Sequence, residues 1–264
     1  MANIFQCKTG EGHIIKILSE LQQNIIKNGC YIINDDGIHQ RIIDNNKRIL
    51  IDLHLNASKF TMFKNKTKSL SMGLNQCHFY KMLKSIKKKD SISLFIDEER
   101  PNDLGIEIVP KEKNRVTVSH IKIQYIQSLD IDLPEGYTNS VIIPSNEFQK
   151  MIKDMNNIGS TIIISSKNHV IKFKCESESV YSRFVEFGEK DEDVTEYCEQ
   201  VFDIDILTRI SKISGLNSVM QVYQKKGLPL LIRSSVGNIG SISLYIKSKD
   251  LIEAEELEHN SDNE

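Results

Sequence analysis

The sequence lacks the short motifs that mark most enzyme active sites. It contains no Walker-type phosphate loop, and Gly10-Glu11-Gly12 is not followed by the rest of a dinucleotide fingerprint. None of the seven histidines has HExxH or HxH spacing, and paired acids such as Glu98-Glu99 and Asp191 to Asp193 lie in charge-rich stretches. We therefore predict that the protein is not an enzyme and uses neither a cofactor nor a metal ion.

Cysteine pairs and long apolar runs are also missing. The five cysteines are odd in number and widely scattered, which is typical of reduced thiols in an intracellular protein: Cys7, Cys30, Cys77, Cys175 and Cys198. No apolar run approaches the ~18 residues that a membrane span requires, and the first residues do not resemble a charged-then-apolar leader. We expect a soluble protein without a membrane partner.

Net charge is small as well. The chain has 34 basic and 36 acidic residues, a formal net charge of −2 and a sequence pI of about 6.4. Bulk charge would therefore not hold this protein on nucleic acid, and any such binding must depend on where the lysines lie. With 264 residues, of which 39% are hydrophobic, the chain can form one large domain or two of ordinary size.

A repeated segment favours two domains. Residues 79–86 (FYKMLKSI) recur as residues 148–155 (FQKMIKDM), and a strand-like run follows each segment. At roughly 100° per residue, both segments place apolar side chains on one side of a helix and lysines on the other. The lysines are Lys81, Lys84 and Lys88 in the first copy and Lys150 and Lys153 in the second. We interpret the chain as an internal duplication with a repeated cationic surface.

Four segments with helical periodicity, each followed by short strand-like runs, indicate the fold class. The first helix uses Ile14, Ile17, Leu18, Leu21 and Ile25, the third has Ser145 as its expected N-cap, and the fourth begins near Asp203 and stops at Gly215. Apolar runs between them predict more strand than helix. This pattern predicts an α+β protein whose antiparallel sheets carry helices on one face.

The segment between the two halves is an unusual linker. Residues 127–137 are acidic and contain Pro134 and Gly136, but they also include Leu129, Ile131, Leu133 and Tyr137. A solvated linker has little use for these side chains, so we expect part of it to lie on the protein surface or to await a partner. The predicted bounds are 1–126 and 138–252 for the two domains, 127–137 for the connector and 253–264 for an acidic, disordered tail.

The order of several segments resembles a known family. The segments are Asp36-Gly37-Ile38 and Ile43-Asp44, Met72 to Asn75 before Lys81 to Lys84, Leu133-Pro134-Glu135 before Pro144 to Phe148, Ile158-Gly159, Leu228 to Leu231, and Leu244 to Ile246. Together they resemble the proliferating cell nuclear antigen (PCNA) family of DNA sliding clamps, from about Phe5 to Lys249. The resemblance implies a ring of three identical subunits, each with two similar domains, whose helices line a central hole that holds double-stranded DNA. Such a ring would tether a DNA polymerase and need only sequence-independent phosphate contacts.

The resemblance also implies which residues bind DNA. They are Lys16, Lys64, Lys66, Lys68, Lys81, Lys84, Lys150, Lys153 and Lys212, and helical geometry alone adds Lys88 and Arg209. Where relatives carry a further lysine in the first helix, this chain has Gln22, so we expect a thin basic face there.

Two further surfaces follow from the resemblance. A pocket for the peptide motifs of replication and repair proteins would involve Ile43, Ile131, Leu133, Pro134, Tyr137, Pro229, Tyr245, Ile246 and Lys247, with Lys47 and Arg48 at its rim. Subunit contacts would come from edge strands carrying Val116, Val118, Ile121 and Ile123 in the first half and Val180, Phe184, Val185 and Phe187 in the second. Lys167 matches a lysine that relatives modify during damage tolerance.

Alternatives of other kinds remain open. One is a processivity or checkpoint-type clamp that acts as a monomer or in a mixed ring, and another is a protein-interaction scaffold of the same fold without a DNA role. The expected location is the nucleus, or a cytoplasmic replication factory if the protein is viral. The clamp loader and polymerase partners are not identified by the sequence.

Overall fold

The computed structural model describes residues 2–112, 114–128, 130–167, 169–177, 180–189 and 197–261, with the backbone alone for 258–261. The chain forms two compact units. Unit 1 comprises residues 1–42, 51–131 and 235–242, and unit 2 comprises residues 43–50, 132–234 and 243–264. Each unit thus includes one short segment, 43–50 or 235–242, that the sequence-based bounds assign to the other domain.

Unit 1 has two helices and two groups of strands. Its elements are β1 (Asn3–Thr9), α1 (Gly12–Ile25), β2 (Asn28–Ile33), β3 (Gly37–Ile43), β4 (Ile49–Asn56), a 3₁₀ turn (Ala57–Lys59), β5 (Met62–Asn65), β6 (Leu70–Asn75), α2 (Gln76–Leu83), β7 (Ser91–Asp97), β8 (Asp103–Val109) and β9 (Thr117–Lys122). One sheet has the order β5-β1-β7-β8-β9. In the other group, β2 pairs antiparallel with both β3 and β6.

Unit 2 repeats this plan. Its elements are β10 (Ser140–Pro144), α3 (Ser145–Met155), β11 (Thr161–Lys167), β12 (Val170–Ser177), β13 (Tyr181–Gly188), β14 (Tyr197–Asp203), α4 (Ile204–Ile210), a 3₁₀ segment (Ser211–Gly215), β15 (Val219–Tyr223), β16 (Leu230–Val236), β17 (Gly240–Ile246) and α5 (Lys249–Ser261). One sheet has the order β13-β12-β11-β14. In the other group, β15 pairs antiparallel with both β10 and β16.

Strand pairing supports the duplication and corrects its alignment. The strand before the first helix pairs with the strand after the second helix in both units, as β1 with β7 and β10 with β15. The strand after the first helix pairs with the strand before the second, as β2 with β6 and β11 with β14. Therefore α1 corresponds to α3 and α2 to α4, whereas the sequence repeat aligned α2 with α3. The apolar residues of the two segments share a 3-1-3 spacing in the sequence, because any helix that packs one face on a sheet favours this spacing, whichever its place in the fold.

The apolar sides of the helices are buried almost as the helical periodicity of the sequence predicts. In α3, Phe148, Met151, Ile152 and Met155 are buried, and in α4 so are Ile206, Leu207 and Ile210. In α1 the buried apolar residues are Ile15, Leu18, Leu21 and Ile25, while Ile14 and Ile17 are only half-buried. Ser145 is the first residue of α3 rather than its N-cap, a position that Pro144 occupies.

The C-terminal helix corrects a further expectation. Residues 253–261 were expected to be disordered but belong to α5, and residues 262–264 lie outside the described part of the chain. The Leu251 N–H donates to Ser248 Oγ at 3.3 Å, as an N-cap requires. The Lys249 ammonium lies 2.8 Å from Asp203 Oδ1. A capped run of Ala, Leu and Glu thus forms a helix although its composition is polar and acidic.

The described residues contain neither a candidate membrane span nor a candidate metal site. None of the described helices is both long and apolar enough to cross a membrane. Within the same residues, no three or more His, Cys, Asp or Glu side chains come together as a possible metal site.

Candidate DNA-binding and partner-binding surfaces

The helices of unit 1 present lysines on one exposed side. α1 packs against α2, and Lys81, Lys84 and Lys88 are exposed on α2 and the turn that follows it. Lys16 on α1 is half-buried, and its ammonium donates to the Ile86 carbonyl at 3.0 Å. Lys16 therefore ties α1 to the end of the α2 region as well as adding charge there.

Gln22 does not belong to this cationic side. It is 1% exposed, and its Nε2 donates to Gln40 Oε1 at 2.5 Å. The Tyr31 hydroxyl lies 2.7 Å from Gln22 Oε1 and 3.0 Å from Gln76 Oε1, and burial raises the pKa of Tyr31 above its usual range. Gln22 thus lies inside unit 1 in a polar network and adds nothing to the basic side of α1, which agrees with the thin basic face expected there.

Three further lysines that we expect to bind DNA lie outside α1 and α2, in the segment from β5 to β6. Lys64 is on β5, the edge strand of its sheet, and Lys66 and Lys68 follow in the turn before β6. All three are exposed. Lys66 forms an ion pair with Glu98 at 2.6 Å, which offsets part of its charge. Their assignment to DNA stays a prediction.

Unit 2 also presents lysines on a helix. Lys150 and Lys153 are exposed on α3, whose opposite side is buried. α3 packs on α4 and on the 3₁₀ segment Ser211–Gly215. The two lysines are therefore carried on a helix that is packed into the unit on its other side.

Arg209 is less exposed than its position on the outer side of the helix predicts. It is half-buried, and its guanidinium lies 3.5 Å from the buried Asp44 carboxylate. Asp44 Oδ1 also accepts the Arg48 and Ile49 backbone N–H groups at 2.7 and 2.8 Å. Arg209 thus stabilises the 43–50 turn, which sequence spacing could not reveal. Lys212 is half-buried on the 3₁₀ segment.

Tyr137 anchors the end of the connector in unit 2. Its hydroxyl donates to the Pro229 carbonyl at 2.7 Å, and its ring lies 6.2 Å from the rings of Tyr223 and Tyr245. Burial raises the pKa of Tyr137. The Lys225 ammonium also donates to the Gly136 carbonyl at 2.6 Å, a contact that the sequence analysis missed because no periodicity marks a loop lysine.

The rest of the connector lies partly against the protein. Leu133 and Pro134 are half-buried in unit 2, and Ile131 is half-buried in unit 1. The Arg41 guanidinium donates to the Ile131 carbonyl at 2.9 Å and pairs with Asp52 at 3.1 Å. Leu129 lies outside the described residues. The connector is thus held near its middle, at Ile131, and at its end, at Gly136 and Tyr137, by hydrogen bonds between side chains and backbone carbonyls.

Other expected pocket residues differ in accessibility. Ile43 is 37% exposed and Pro229 half-buried, whereas Tyr245 is 5% exposed and Ile246 is not exposed. Ile246 therefore belongs to the core and cannot touch a partner in this conformation. Lys247 pairs with Glu255 of α5 at 2.6 Å.

The basic rim is also partly neutralised. Arg48 pairs with Asp203 at 3.0 Å, and Lys47 is exposed in a turn at φ 55°. Of the expected rim cations, Arg48 and Lys247 are thus engaged within unit 2.

The expected interface strands are both at sheet edges. β9 is the last strand of its sheet in unit 1; Val118 on it is 49% exposed, and Val116, just before it, is 59% exposed. Ile121 and Ile123 are half-buried. β13 is the last strand of its sheet in unit 2; Phe184 on it is 57% exposed, and Val180, in the turn before it, is 75% exposed. Among the strands of the described residues, β9 and β13 each have a neighbour on one side only.

The two faces of β13 differ. Phe187 packs edge-on against Phe173, and Val185 is half-buried. Phe184 lies under the Lys172 ammonium, 4.1 Å from its ring centroid. Lys167, at the end of β11, is exposed.

Comparison with known proteins identifies the family. The model of the PCNA N-terminal domain matches residues 4–133, and that of the PCNA C-terminal domain matches residues 132–249. A probable DNA polymerase sliding clamp 1 of Paramecium bursaria Chlorella virus 1 is 26% identical over 253 residues, which cover 92% of this chain and 96% of that protein. The proliferating cell nuclear antigen of Chaetomium thermophilum is 22% identical over 256 residues, covering 93% and 98%. The chain therefore belongs to the proliferating cell nuclear antigen family of DNA sliding clamps.

Proposed function

We propose that this protein acts as a homotrimeric ring around double-stranded DNA and tethers a DNA polymerase to its template. The observation that carries this proposal is the pair of family matches, which run in order through residues 4–249. A ring of this kind works by topology, so it needs no base contacts and no catalytic group.

The charged helices support the DNA part of the proposal. Lys81 and Lys84 in unit 1 and Lys150 and Lys153 in unit 2 are exposed opposite buried apolar stripes. Ammonium groups on such helices attract phosphates without reading sequence. Because the net charge of the chain is only −2, this attraction is local, and a local attraction suits a ring that must slide.

The edge strands support the ring. β9 and β13 both end a sheet and expose valine, phenylalanine and tyrosine side chains. Pairing β9 of one copy with β13 of the next would continue the sheets and cover this apolar surface. Three such contacts would close a ring.

The anchored connector supports a peptide-docking role. Leu133, Pro134 and Tyr137 are half-buried, so each keeps some surface for a partner, and Tyr137 is bonded to Pro229. We assign to this site the aliphatic and aromatic anchors of polymerase and repair-protein peptides. Lys47 is exposed at this rim, so we expect the preferred peptide to differ at its flanks from that of relatives with uncharged rims. The proposed location is the nucleus, or a viral replication factory.

A charge-removal experiment tests the DNA surface. Changing Lys81, Lys84, Lys150 and Lys153 to Ala should weaken binding to a duplex and lower the slope of log K against log salt by about 0.9 for each lost phosphate contact. The measurement is fluorescence anisotropy of a labelled duplex across a salt series, with primer-extension length by the cognate polymerase as the functional readout.

The matched control removes the same charge elsewhere. Lys59, Lys111, Lys167 and Lys226 are exposed outside the helices, and their change to Ala should leave the slope close to that of the original protein. Equal slopes in both quadruple variants would contradict the helix assignment. No gain in product length from the original protein would instead favour a scaffold without a DNA role.

A further inference from the structure

One edge of the first sheet of unit 1 is not used by the proposed ring. The sheet has the order β5-β1-β7-β8-β9, and pairing between copies would cover its β9 edge. β5 (Met62–Asn65) lies at the opposite edge, and among the described strands only β1 pairs with it. A strand with one neighbour has a row of backbone N–H and C=O groups without a strand partner. β5 is therefore an edge to which another extended segment could be added.

The register of β5 shows which backbone groups face away from the sheet. The Lys66 N–H donates to the Ile4 carbonyl at 2.9 Å, and the register continues without a shift through Lys64. Because the direction of hydrogen bonding alternates along an antiparallel strand, the N–H and C=O groups of Lys64 also face β1, whereas those of Phe63 and Asn65 face the other way. An added strand would thus meet two residues whose backbone groups point towards it.

A groove lies along this edge. It has a volume of about 760 Å³, and its lining includes Phe60 and all four residues of β5. The ring of Phe63 lies 5.7 Å from the rings of Phe5 and Phe60, and Met62 and Phe63 are only half-buried. Because successive side chains of a strand point to opposite faces, these two residues offer apolar surface on both faces of the edge.

The charges around the groove favour an acidic partner. Lys59, Lys64 and Lys68 are exposed, in the turn before β5, on β5 and in the turn after it. Lys66 is held in an ion pair, and Asp35 is the acid among the described residues that line the groove. Lysines on an edge discourage pairing with a second copy of the same edge, but they attract a segment of opposite charge.

We propose that β5 and its groove form a docking surface for an extended acidic segment of a partner protein, which adds to the sheet as a further strand. The backbone of this segment would pair with Phe63 and Asn65. Its apolar side chains would pack on Met62 and Phe63, and its carboxylates would lie near Lys64. Duplex DNA fits this surface less well, because it has no strand backbone for the edge and no aliphatic side chains for the groove. The surface shares no residue with the connector site.

Hydrogen exchange of single amides tests the added strand. The full-length protein is mixed with a heptapeptide that alternates glutamate and valine. We expect the peptide to slow exchange at Phe63 and Asn65 and to leave Lys64, whose N–H already faces β1, unchanged. Two further peptides are N-methylated at the valines only or at the glutamates only. One of them should lose the effect and the other keep it, because one set of N–H groups faces β5 and the other faces solvent.

Anisotropy of the labelled heptapeptide tests the charge. Changing the three exposed lysines around β5 to Ala should weaken peptide binding by about tenfold, because each exposed ion pair contributes little. The three are Lys59, Lys64 and Lys68. The matched control changes three exposed lysines outside this segment to Ala and should bind as the original protein does: Lys111, Lys167 and Lys226. A peptide that alternates lysine and valine should not slow exchange at β5.

Several results would overturn the inference. One is unchanged exchange at Phe63 and Asn65 with the acidic peptide, and another is equal slowing by the lysine peptide. Slow exchange of both amides in the protein alone would mean that the edge is already covered. Slowing by a duplex but not by the peptide would assign the segment to DNA. Because the peptide experiment needs neither DNA nor polymerase, its failure would leave the proposed function standing.

Discussion

Single basic residues have two different roles in this clamp. Lys81, Lys84, Lys150 and Lys153 are exposed and can contact phosphate. Lys16 instead donates to the Ile86 carbonyl, and Arg209 pairs with buried Asp44. Helical periodicity identifies the side of a helix on which a residue lies, but it does not show whether a neighbouring segment has already engaged the charge.

Gln22 tests the buried polar network. Changing Gln22 to Ala should lower the free energy of unfolding by about 1–3 kcal/mol, because Tyr31 and Gln40 would each lose a buried partner. Urea unfolding measures the change. Gln23→Ala, at the half-buried neighbouring position, should have a smaller effect. Equal stability of both variants would contradict the buried network. Tighter DNA binding by Gln22→Lys without loss of stability would indicate instead that Gln22 lies on the DNA-facing surface.

Cys7 gives a pH dependence whose sign can be derived. Burial raises the pKa of the Cys7 thiol from 9.0 to about 12, so the unfolded chain releases this proton at lower pH than the folded protein. The free energy of unfolding should therefore fall by about 1.4 kcal/mol per pH unit between pH 9 and 12 through this group. Urea unfolding at pH 8 and at pH 10.5 measures how far the free energy of unfolding falls between these two pH values. We expect this fall to be about 2 kcal/mol smaller in Cys7→Ala than in the original protein. An identical pH dependence in that variant would rule out the contribution.

At the level of elements, the cap of α5 decides whether the C-terminal residues form a helix. Ser248→Ala removes the oxygen that accepts the Leu251 N–H and should cost the helix about 1 kcal/mol. Amide hydrogen exchange in the first turns of α5 should then be faster, with β17 unchanged. Ser241→Ala, at an exposed position in β17, serves as the control. Unchanged exchange in α5 would show that ion pairs such as Lys249 with Asp203 hold the helix instead.

The elements also show what the sequence could predict. Apolar periodicity predicts helices α1 to α4 and strands such as β4, β9, β15 and β17. An element that packs one face against its neighbours must repeat its apolar residues at the period of a helix or a strand. The correspondence of α1 with α3 does not, since it depends on strand pairing between distant segments. α5 was missed because an acidic composition resembles disorder unless its cap is recognised. The hydrogen bonds of Arg41 and Lys225 to the connector were beyond reach, as loop contacts leave no periodic signal.

At the level of the whole molecule, a closed ring requires the apolar edges of β9 and β13 to pair between copies. Changing Val118 and Phe184, which are exposed on these strands, to Lys should prevent pairing between copies. We expect light scattering to give a mass near three times 30.2 kDa for the original protein and near one copy for the variant. Ile142→Lys, at an exposed position on β10, should leave the assembly intact. A single-copy mass for the original protein would favour a clamp that acts as a monomer or in a mixed ring.

Retention on linear DNA tests encirclement most directly. The protein is incubated with a linear duplex, and bulky groups block the ends of the DNA either before or after this incubation. The DNA is then washed with salt of about 1 M, which largely screens the attraction between lysines and phosphates. A ring threads over free ends and is trapped by later blocking. We predict retention only on DNA blocked after incubation, and none for the Val118, Phe184 variant. Retention that does not depend on when the ends are blocked, or no retention in either case, would contradict the account.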